Sequence, residues 1–152
     1  MNIECSISKL ITVIEKVSRS TGKNLSLPIL SCLMMEADSV SSNLNIKSTN
    51  LDIGTEFNLQ VKCKTSGKVA IPANTLLNLL SSIKSNQNII ISVKDNNLEF
   101  ISKNNKSIIK CFPYEDFPEI PKVIKEKKCN LKSTDFINGL KNVWYSASNS
   151  SI

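Results

Sequence analysis

The feature that most constrains the fold is a unit of strand, polar residue and amphipathic helix that occurs three times. In the first copy, Ile3, Cys5 and Ile7 alternate with polar residues, a pattern typical of a half-buried strand. An apolar stripe at helical spacing then indicates a helix with one face toward a core; it comprises Leu10, Ile11, Ile14 and Val17.

The two later copies keep the strand, the polar residue and the stripe in register. The second contains Val69, Ile71, Ala73, Asn74, Leu76, Leu77, Leu80 and Ile83, and the third contains Cys129, Leu131, Ser133, Thr134, Phe136, Ile137, Leu140 and Val143. Ser8, Asn74 and Thr134 occupy equivalent positions and are predicted to cap the helices. Strands follow the first two helices, including one over 27–36 and one over 51–63. Residues 1–113 are therefore predicted to form a β-α-β-β-β half-domain twice.

A proline-punctuated segment separates the second and third copies. Pro113, Pro118 and Pro121 favour an extended chain there. We expect a first domain at 1–120, a linker at 121–127 and the strand and helix that open a second domain at 128–152. A lone strand and helix cannot bury a core, so the tail is expected to be loosely held and the sequence to be the front part of a longer protein.

Composition argues against catalysis and metal binding. The chain has 152 residues, five widely spaced cysteines without a CxxC motif, and no histidine, so a zinc site and a histidine general base are not expected. Neither GxxxxGK[ST] nor GxGxxG occurs. We predict a non-catalytic protein without metal or cofactor. No apolar run of about 18 residues and no signal-peptide pattern occur, which predicts a cytoplasmic protein.

The net charge is modest and unevenly distributed. The formal charge is +6, from 19 basic and 13 acidic residues, and residues 121–152 carry six basic and two acidic residues, or +4. Taken alone, this charge favours a solvated lysine-rich surface over weak phosphate attraction.

Five segments, in order along the whole chain, resemble the bacterial β sliding clamp, the processivity subunit of DNA polymerase III. They are VSRSTGKNLSLPIL, STNLDIG, VAIPANTLLNLL, CFPYEDFPEIP and YSASNSSI. The resemblance implies an α+β DNA-clamp fold in which duplicated β-α-β-β-β halves pack two helices on antiparallel sheets. It further implies a head-to-tail homodimeric ring around duplex DNA, with sequence-independent contacts. DNA polymerase III and the clamp loader would bind through domains that this sequence lacks.

The resemblance also suggests which residues contact DNA. In the loop after the first helix, Asn24 occupies the position of a clamp arginine, so Lys23 is a candidate substitute. Asn74 is a candidate DNA contact as well as a helix cap, and any single lysine is equally explained as a solvated side chain. The implied DNA-binding set is Arg19, Lys23, Asn24, Asn74, Asn149 and Ser150, with Lys9, Lys16 and Lys141 lining the hole.

The edge that closes the ring is implied to lie on the second helix and the last strand of the first domain, at Thr75, Leu79, Lys106 and Ile109. The alternative hypothesis is a small cytosolic α+β protein-interaction module without DNA binding. The reading frame beyond Ile152 would discriminate between the two.

Overall fold

The computed structural model describes residues 1–22, 26–83, 87–102, 106–121 and 129–147. The chain divides into two compact units, Met1–Ile120 and Pro121–Ile152. No helix in the described ranges is long and apolar enough to cross a membrane.

The first unit contains nine strands and two α-helices in its described part. The elements are β1 (Asn2–Ser6), α1 (Ile7–Val17), β2 (Cys32–Asp38), β3 (Asn43–Thr49), β4 (Gly54–Gln60), β5 (Lys62–Thr65), β6 (Gly67–Pro72), α2 (Ala73–Ser82), β7 (Asn88–Lys94), β8 (Asn97–Ile101) and β9 (Lys106–Lys110). They form two antiparallel sheets, of strand order β5-β1-β7-β8-β9 and β4-β3-β2-β6.

Each half of the repeat gives its first strand to the sheet of the other half. Strand β1 pairs with β7, and β6 pairs with β2. This reciprocal exchange joins the two halves, because neither sheet is complete without a strand from the other copy. The predicted α+β fold of duplicated halves, with two helices on antiparallel sheets, is confirmed.

The helices begin at the same repeat position in all three copies. The first helical residues are Ile7, Ala73 and Ser133, the last of which begins α3 (Ser133–Val143). The helix therefore begins at the same point relative to its apolar stripe in all three copies, although their amino-acid compositions differ.

The prediction that polar side chains cap these helices is wrong. Ser8, Asn74 and Thr134 are each the second residue of their helix, and none of the actual N-cap residues makes a side-chain cap hydrogen bond. At α1, the backbone N–H of Ile7 donates to the carbonyl of Gln87 (3.2 Å). A tertiary contact thus satisfies a donor that a cap would otherwise satisfy.

One continuous core lies between the helices and both sheets. The stripe of α1 is buried at Ile7, Leu10, Ile14 and Val17, and that of α2 at Ala73, Leu76 and Leu80. Inward residues of both sheets complete the core, among them Ile3, Ile46, Ile91 and Phe100. Burial of these side chains, at about 1.5–3 kcal/mol each, is the main force that holds the unit together.

Two predicted strands are corrected by the structure. Residues Pro28–Ser31 form a 3₁₀ turn, and β2 begins at Cys32, because Pro28 lacks an N–H for strand pairing. The strand predicted over 51–63 is two strands in different sheets. The chain changes sheet at the buried Val61, so β5 pairs with β1.

The segment that follows β9 is part of the first unit and packs against its strands and loops. The N–H of Phe112 donates to the carbonyl of Ala70 (2.9 Å), and Phe117 is buried in a small cluster with Ile29 and Ala70. Farther along, Ile120 lies against Gly54, where an added Cβ would sit 2.6 Å from the Ile120 Cγ2 atom. Glycine at position 54 therefore permits this close approach.

The second unit contains α3, followed by a 3₁₀ turn at Trp144–Ser146. No described residue of this unit is buried. The strand predicted in the third copy is wrong, since residues 129–132 form none. A strand needs a hydrogen-bonded neighbour, and the described part of this unit supplies none.

Candidate nucleic-acid interface

The exposed face of α1 and the 3₁₀ turn after it carry the cations of the candidate site. Lys9, Lys16 and Arg19 are all exposed, as the stripe pattern predicts. The Lys16 Nζ atom lies 5.8 Å from the centroid of the Phe57 ring on β4, a cation–π contact of about 0.5–1 kcal/mol at an exposed site. This contact biases the ammonium group toward the β4 side of the helix.

The C-terminal end of α1 is fixed by hydroxyl groups. Ser48, which is fully buried, donates from Oγ to the carbonyl of Val17 (2.6 Å). Beyond it, the hydroxyls of Ser20 and Thr55 share a hydrogen bond (2.5 Å). These bonds anchor the 3₁₀ turn Ser18–Ser20 to β3 and β4, so Arg19 projects from a rigid support.

The loop that follows this turn is closed at its base. The N–H of Gly22 donates to the carbonyl of Leu30 (2.8 Å), and a Cβ on Gly22 would lie 3.0 Å from the Leu30 Cβ. The candidate residues Lys23 and Asn24 lie beyond Gly22, outside the described residues. Asn149 and Ser150 also lie outside them.

Helix α2 contacts α1 but presents a neutral surface. Asn74 and Thr75 are exposed in its first turn, and no residue of Ala73–Ser82 is charged. Within this pair of helices, the positive charge therefore lies on α1. Asn74 makes no cap hydrogen bond at the helix start. Helix capping, the alternative role for its carboxamide, is therefore not observed.

Lys141 is exposed on α3, in the second unit. It lines a shallow apolar depression with Ile137, Leu140 and Trp144. It is thus a lysine beside the apolar stripe of its helix.

The candidate subunit edge combines exposed and buried residues. Thr75 is exposed, Leu79 packs half-buried against the core, and Lys106 forms an ion pair with Glu99 (3.1 Å). Ile109 is only 5% exposed, because alternation along β9 turns it inward. Its side chain therefore points into the core, and a contact at this position would use the backbone of β9, the edge strand of its sheet in the described ranges.

Metal binding finds no support in the described ranges, which contain no group of three or more His, Cys, Asp or Glu side chains that could hold an ion. Burial raises the pKa of the Cys5 thiol to about 12 and the pKa values of Cys32 and Cys111 to about 11. These thiols stay protonated at neutral pH and are poor nucleophiles.

The sequence alone does not identify the residues that position the cations. Ser48, Thr55 and Phe57 belong to β3 and β4, whose alternation indicates which side chains share a face. Nothing local indicates that α1 lies over that face, so this support is a tertiary feature.

Comparisons with known proteins agree on one family. Residues 1–121 match the family model described as DNA polymerase III beta subunit, N-terminal domain. The beta sliding clamp of Buchnera aphidicola subsp. Acyrthosiphon pisum is 31% identical over 110 residues, covering 72% of this chain and 30% of that protein. The beta sliding clamp of Synechococcus elongatus is 21% identical over 148 residues, covering 97% of this chain and 40% of that protein.

Solved structures show the same fold. The Helicobacter pylori beta clamp bound to a DNA ligase peptide superposes with a TM-score of 0.86 at 20% identity, covering 99% of this chain and 42% of that one. The DnaN sliding clamp from Bartonella birtlesii bound to griselimycin superposes with a TM-score of 0.75 at 24% identity. The match covers 82% of this chain and 33% of that one. The chain thus spans less than half the length of these relatives.

Proposed function

Because this chain belongs to the DNA polymerase III beta subunits, the bacterial sliding clamps, we propose that it is part of a ring that encircles duplex DNA and confers processivity on a replicative polymerase. The observation that carries the proposal is the exposed cationic surface formed by Lys9 and Lys16 on α1, a repeated, in-register helix, and by Arg19 in the 3₁₀ turn that follows it. The role is tethering and requires no catalytic group.

The chemistry of this face suits a protein that must slide. Lysine and arginine attract phosphates without reading bases, whereas a good bidentate base contact is worth about 1–3 kcal/mol and would favour one sequence. The polar, uncharged Asn74 can donate and accept hydrogen bonds, but it adds no charge that would hold the DNA strongly at one position. Lys23, Asn24, Asn149, Ser150 and Lys141 are proposed as further contacts, on the basis of the family resemblance.

The domain organisation is part of the same proposal. Residues 1–120 correspond to a first clamp domain, 121–127 to a linker and 128–152 to the opening of a second domain. The separation of Met1–Ile120 as a compact unit and the family match to 1–121 support the first boundary. The third helix, in register with α1 and α2, supports the last assignment.

Assembly and partners follow from the family. We propose a homodimeric ring with Thr75, Leu79, Lys106 and the β9 backbone at one subunit edge. DNA polymerase III and the clamp loader would bind parts of the protein found in the longer relatives, and the H. pylori clamp was solved with a DNA ligase peptide. A cytoplasmic site of action follows from this role in replication.

The test is DNA binding as a function of salt. Fluorescence anisotropy with a labelled DNA duplex should show weak binding. The slope of the logarithm of the binding constant against the logarithm of the salt concentration should become shallower by about 0.9 for each phosphate contact that a variant removes. The variant K9A/K16A/R19A should lose most of this dependence. The matched control K62A/K64A/K94A removes the same charge from exposed positions on the five-stranded sheet and should change the slope less.

Three results would contradict the proposal: binding to one sequence in preference to others, binding that salt does not weaken, or equal losses in the two triple variants. The last result would show that net charge alone, rather than the α1 face, attracts DNA.

A further inference from the structure

The outer face of the five-stranded sheet, opposite the helices, carries three exposed isoleucines. Ile90 on β7 and Ile101 on β8 are each 38% exposed, and Ile108 on β9 is 59% exposed. Their neighbours Ile89, Phe100 and Ile109 point the other way, into the core. The outward isoleucines are therefore not needed to fill the unit's interior.

Strand register brings these three side chains together. Ile90 lies directly opposite Ile101, and Ile101 lies opposite Lys106, which places Ile108 on the diagonal from Ile101. Diagonal and direct neighbours on one face of a sheet are within about 4.5–8 Å. The isoleucines thus form one apolar patch rather than scattered exposed residues.

On this face Glu4 lies opposite Ile90 and Glu99 lies opposite Ile108, and lysines surround them on two sides and at one end. Lys62 and Lys64 lie on β5, Lys106 and Lys110 on β9, and Lys94 lies at the end of β7, opposite Asn97. Two carboxylates on this face are paired, Glu4 with Lys62 (3.7 Å) and Glu99 with Lys106 (3.1 Å). Within the described ranges, no carboxylate lies within 4.0 Å of the Nζ atoms of Lys64, Lys94 and Lys110. The face therefore has an excess of positive charge around an apolar centre.

We propose that this face, the patch of Ile90, Ile101 and Ile108 with its bordering lysines, docks an acidic amphipathic helix of a partner protein. Neighbouring strands are about 4.8 Å apart, so the five strands place Lys62 and Lys106 about 19 Å from each other. A helix about 10–12 Å across fits between them along the strand direction. Its apolar stripe would cover the isoleucines, while its acidic flanks would meet Lys64 on one side and Lys110 on the other, which have no carboxylate within 4.0 Å in the described ranges.

Charge selects this occupant over a second copy of the chain or nucleic acid. Two copies meeting through this face would bring like charges together at close range. Duplex DNA would satisfy the lysines but would leave the isoleucines without apolar contact. The inference does not depend on the proposed DNA-binding role of α1, which lies on the other side of this sheet.

The probe is a synthetic helical peptide of about 15 residues, roughly 22 Å long, with leucines on one face and glutamates on both flanks. Titration into the ¹⁵N-labelled full chain, followed by NMR, should shift amides of β7, β8 and β9. The variant I90T/I108T retains β-branched residues and should weaken binding about tenfold, as expected for the loss of several buried methyl and methylene groups. K64E/K110E should weaken it by a similar factor.

Two controls make the result decisive. K9E/K16E makes the same charge change on α1 and should bind the peptide like the unaltered chain, and a peptide with lysine in place of glutamate should not bind. Equal weakening by K9E/K16E, binding of the lysine peptide, or shifts outside the β7–β9 face would overturn the proposal. So would I90T/I108T binding as tightly as the unaltered chain, or a dimer of the unaltered chain that this variant abolishes.

Discussion

Single cysteine side chains report how tightly the first unit is packed. Cys5, Cys32 and Cys111 are buried, and desolvation raises the pKa of each thiol. For Cys5 the neighbouring Glu4 carboxylate raises the pKa further. Cys129 is exposed in the second unit. The two environments differ in solvent access.

Alkylation should therefore be selective. At about pH 8, a thiol with a pKa near 11 is ionised in about one molecule in a thousand, so iodoacetamide should label Cys129 well before Cys5, Cys32 or Cys111. Peptide mass spectrometry measures the labelling at each site, and the urea-unfolded chain is the control in which all cysteines should react. Rapid labelling of Cys32 in the folded chain would show that the core opens readily.

At the scale of elements, one helical unit occurs three times, in two different environments. Leu10, Leu76 and Phe136 occupy equivalent positions, since 76 − 10 = 66 and 136 − 10 = 126. The two leucines are fully buried, whereas Phe136 is 54% exposed. The same pattern of apolar residues thus gives a core face where sheets cover it and an exposed face on α3.

Truncation at the three positions should have unequal consequences. L10A and L76A should each lower the free energy of unfolding by about 2–5 kcal/mol, because each leaves a cavity in the shared core. F136A should change it by about 0.5 kcal/mol or less, as is typical of exposed sites. Urea unfolding monitored by circular dichroism measures all three.

A large loss of stability in F136A would mean that α3 is packed in solution. A small loss in L10A or L76A would contradict the placement of that leucine in the core.

At the scale of the whole molecule, stability is concentrated in the first unit. The buried hydrophobic residues of the described chain all lie between Ile3 and Phe117. Ile120, packed on Gly54, is the last residue of that unit. The second unit adds no buried residue in its described part, so we expect it to contribute little to the unfolding transition.

Removal of residues 121–152 should leave the melting temperature of the first unit nearly unchanged. A shorter truncation product, ending at Lys110, is the contrasting case, because it removes the packing of Phe117 and the Phe112–Ala70 hydrogen bond. That product should melt at a lower temperature in calorimetry. Equal destabilisation of the two products would show that the boundary lies elsewhere.

The sequence predicted the elements whose signals are local. The stripe from Leu10 to Val17 and its repeat from Leu76 to Leu80 are visible because a helix buries every third or fourth residue. By contrast, the strand predicted over 27–36 begins only at Cys32, because Pro28 has no N–H for strand pairing. The strand predicted over 51–63 divides at Val61, because local alternation does not show where a chain changes partners.

The sequence predicted the charged residues of the candidate site but not the residues that hold them in place. Lys9, Lys16 and Arg19 fall on the polar side of a helical stripe, so their exposure follows from periodicity alone. The Ser48 hydrogen bond to Val17 joins residues 31 positions apart, and the inward direction of Ile109 depends on the register of β9. Such facts arise only when distant segments meet.

What the sequence by itself determined is the repeated unit: its helix register, its buried stripe, the cationic face of α1 and the family to which these belong. Only the tertiary structure decided the exchange of β1 and β6 between sheets, the separate strand β5, the uncapped helix starts and the outward-facing patch of Ile90, Ile101 and Ile108. The physical reason is the range of the interactions. Helix and strand periodicity is set by neighbours along the chain, whereas sheet order, backbone pairing and burial depend on which remote segments pack together.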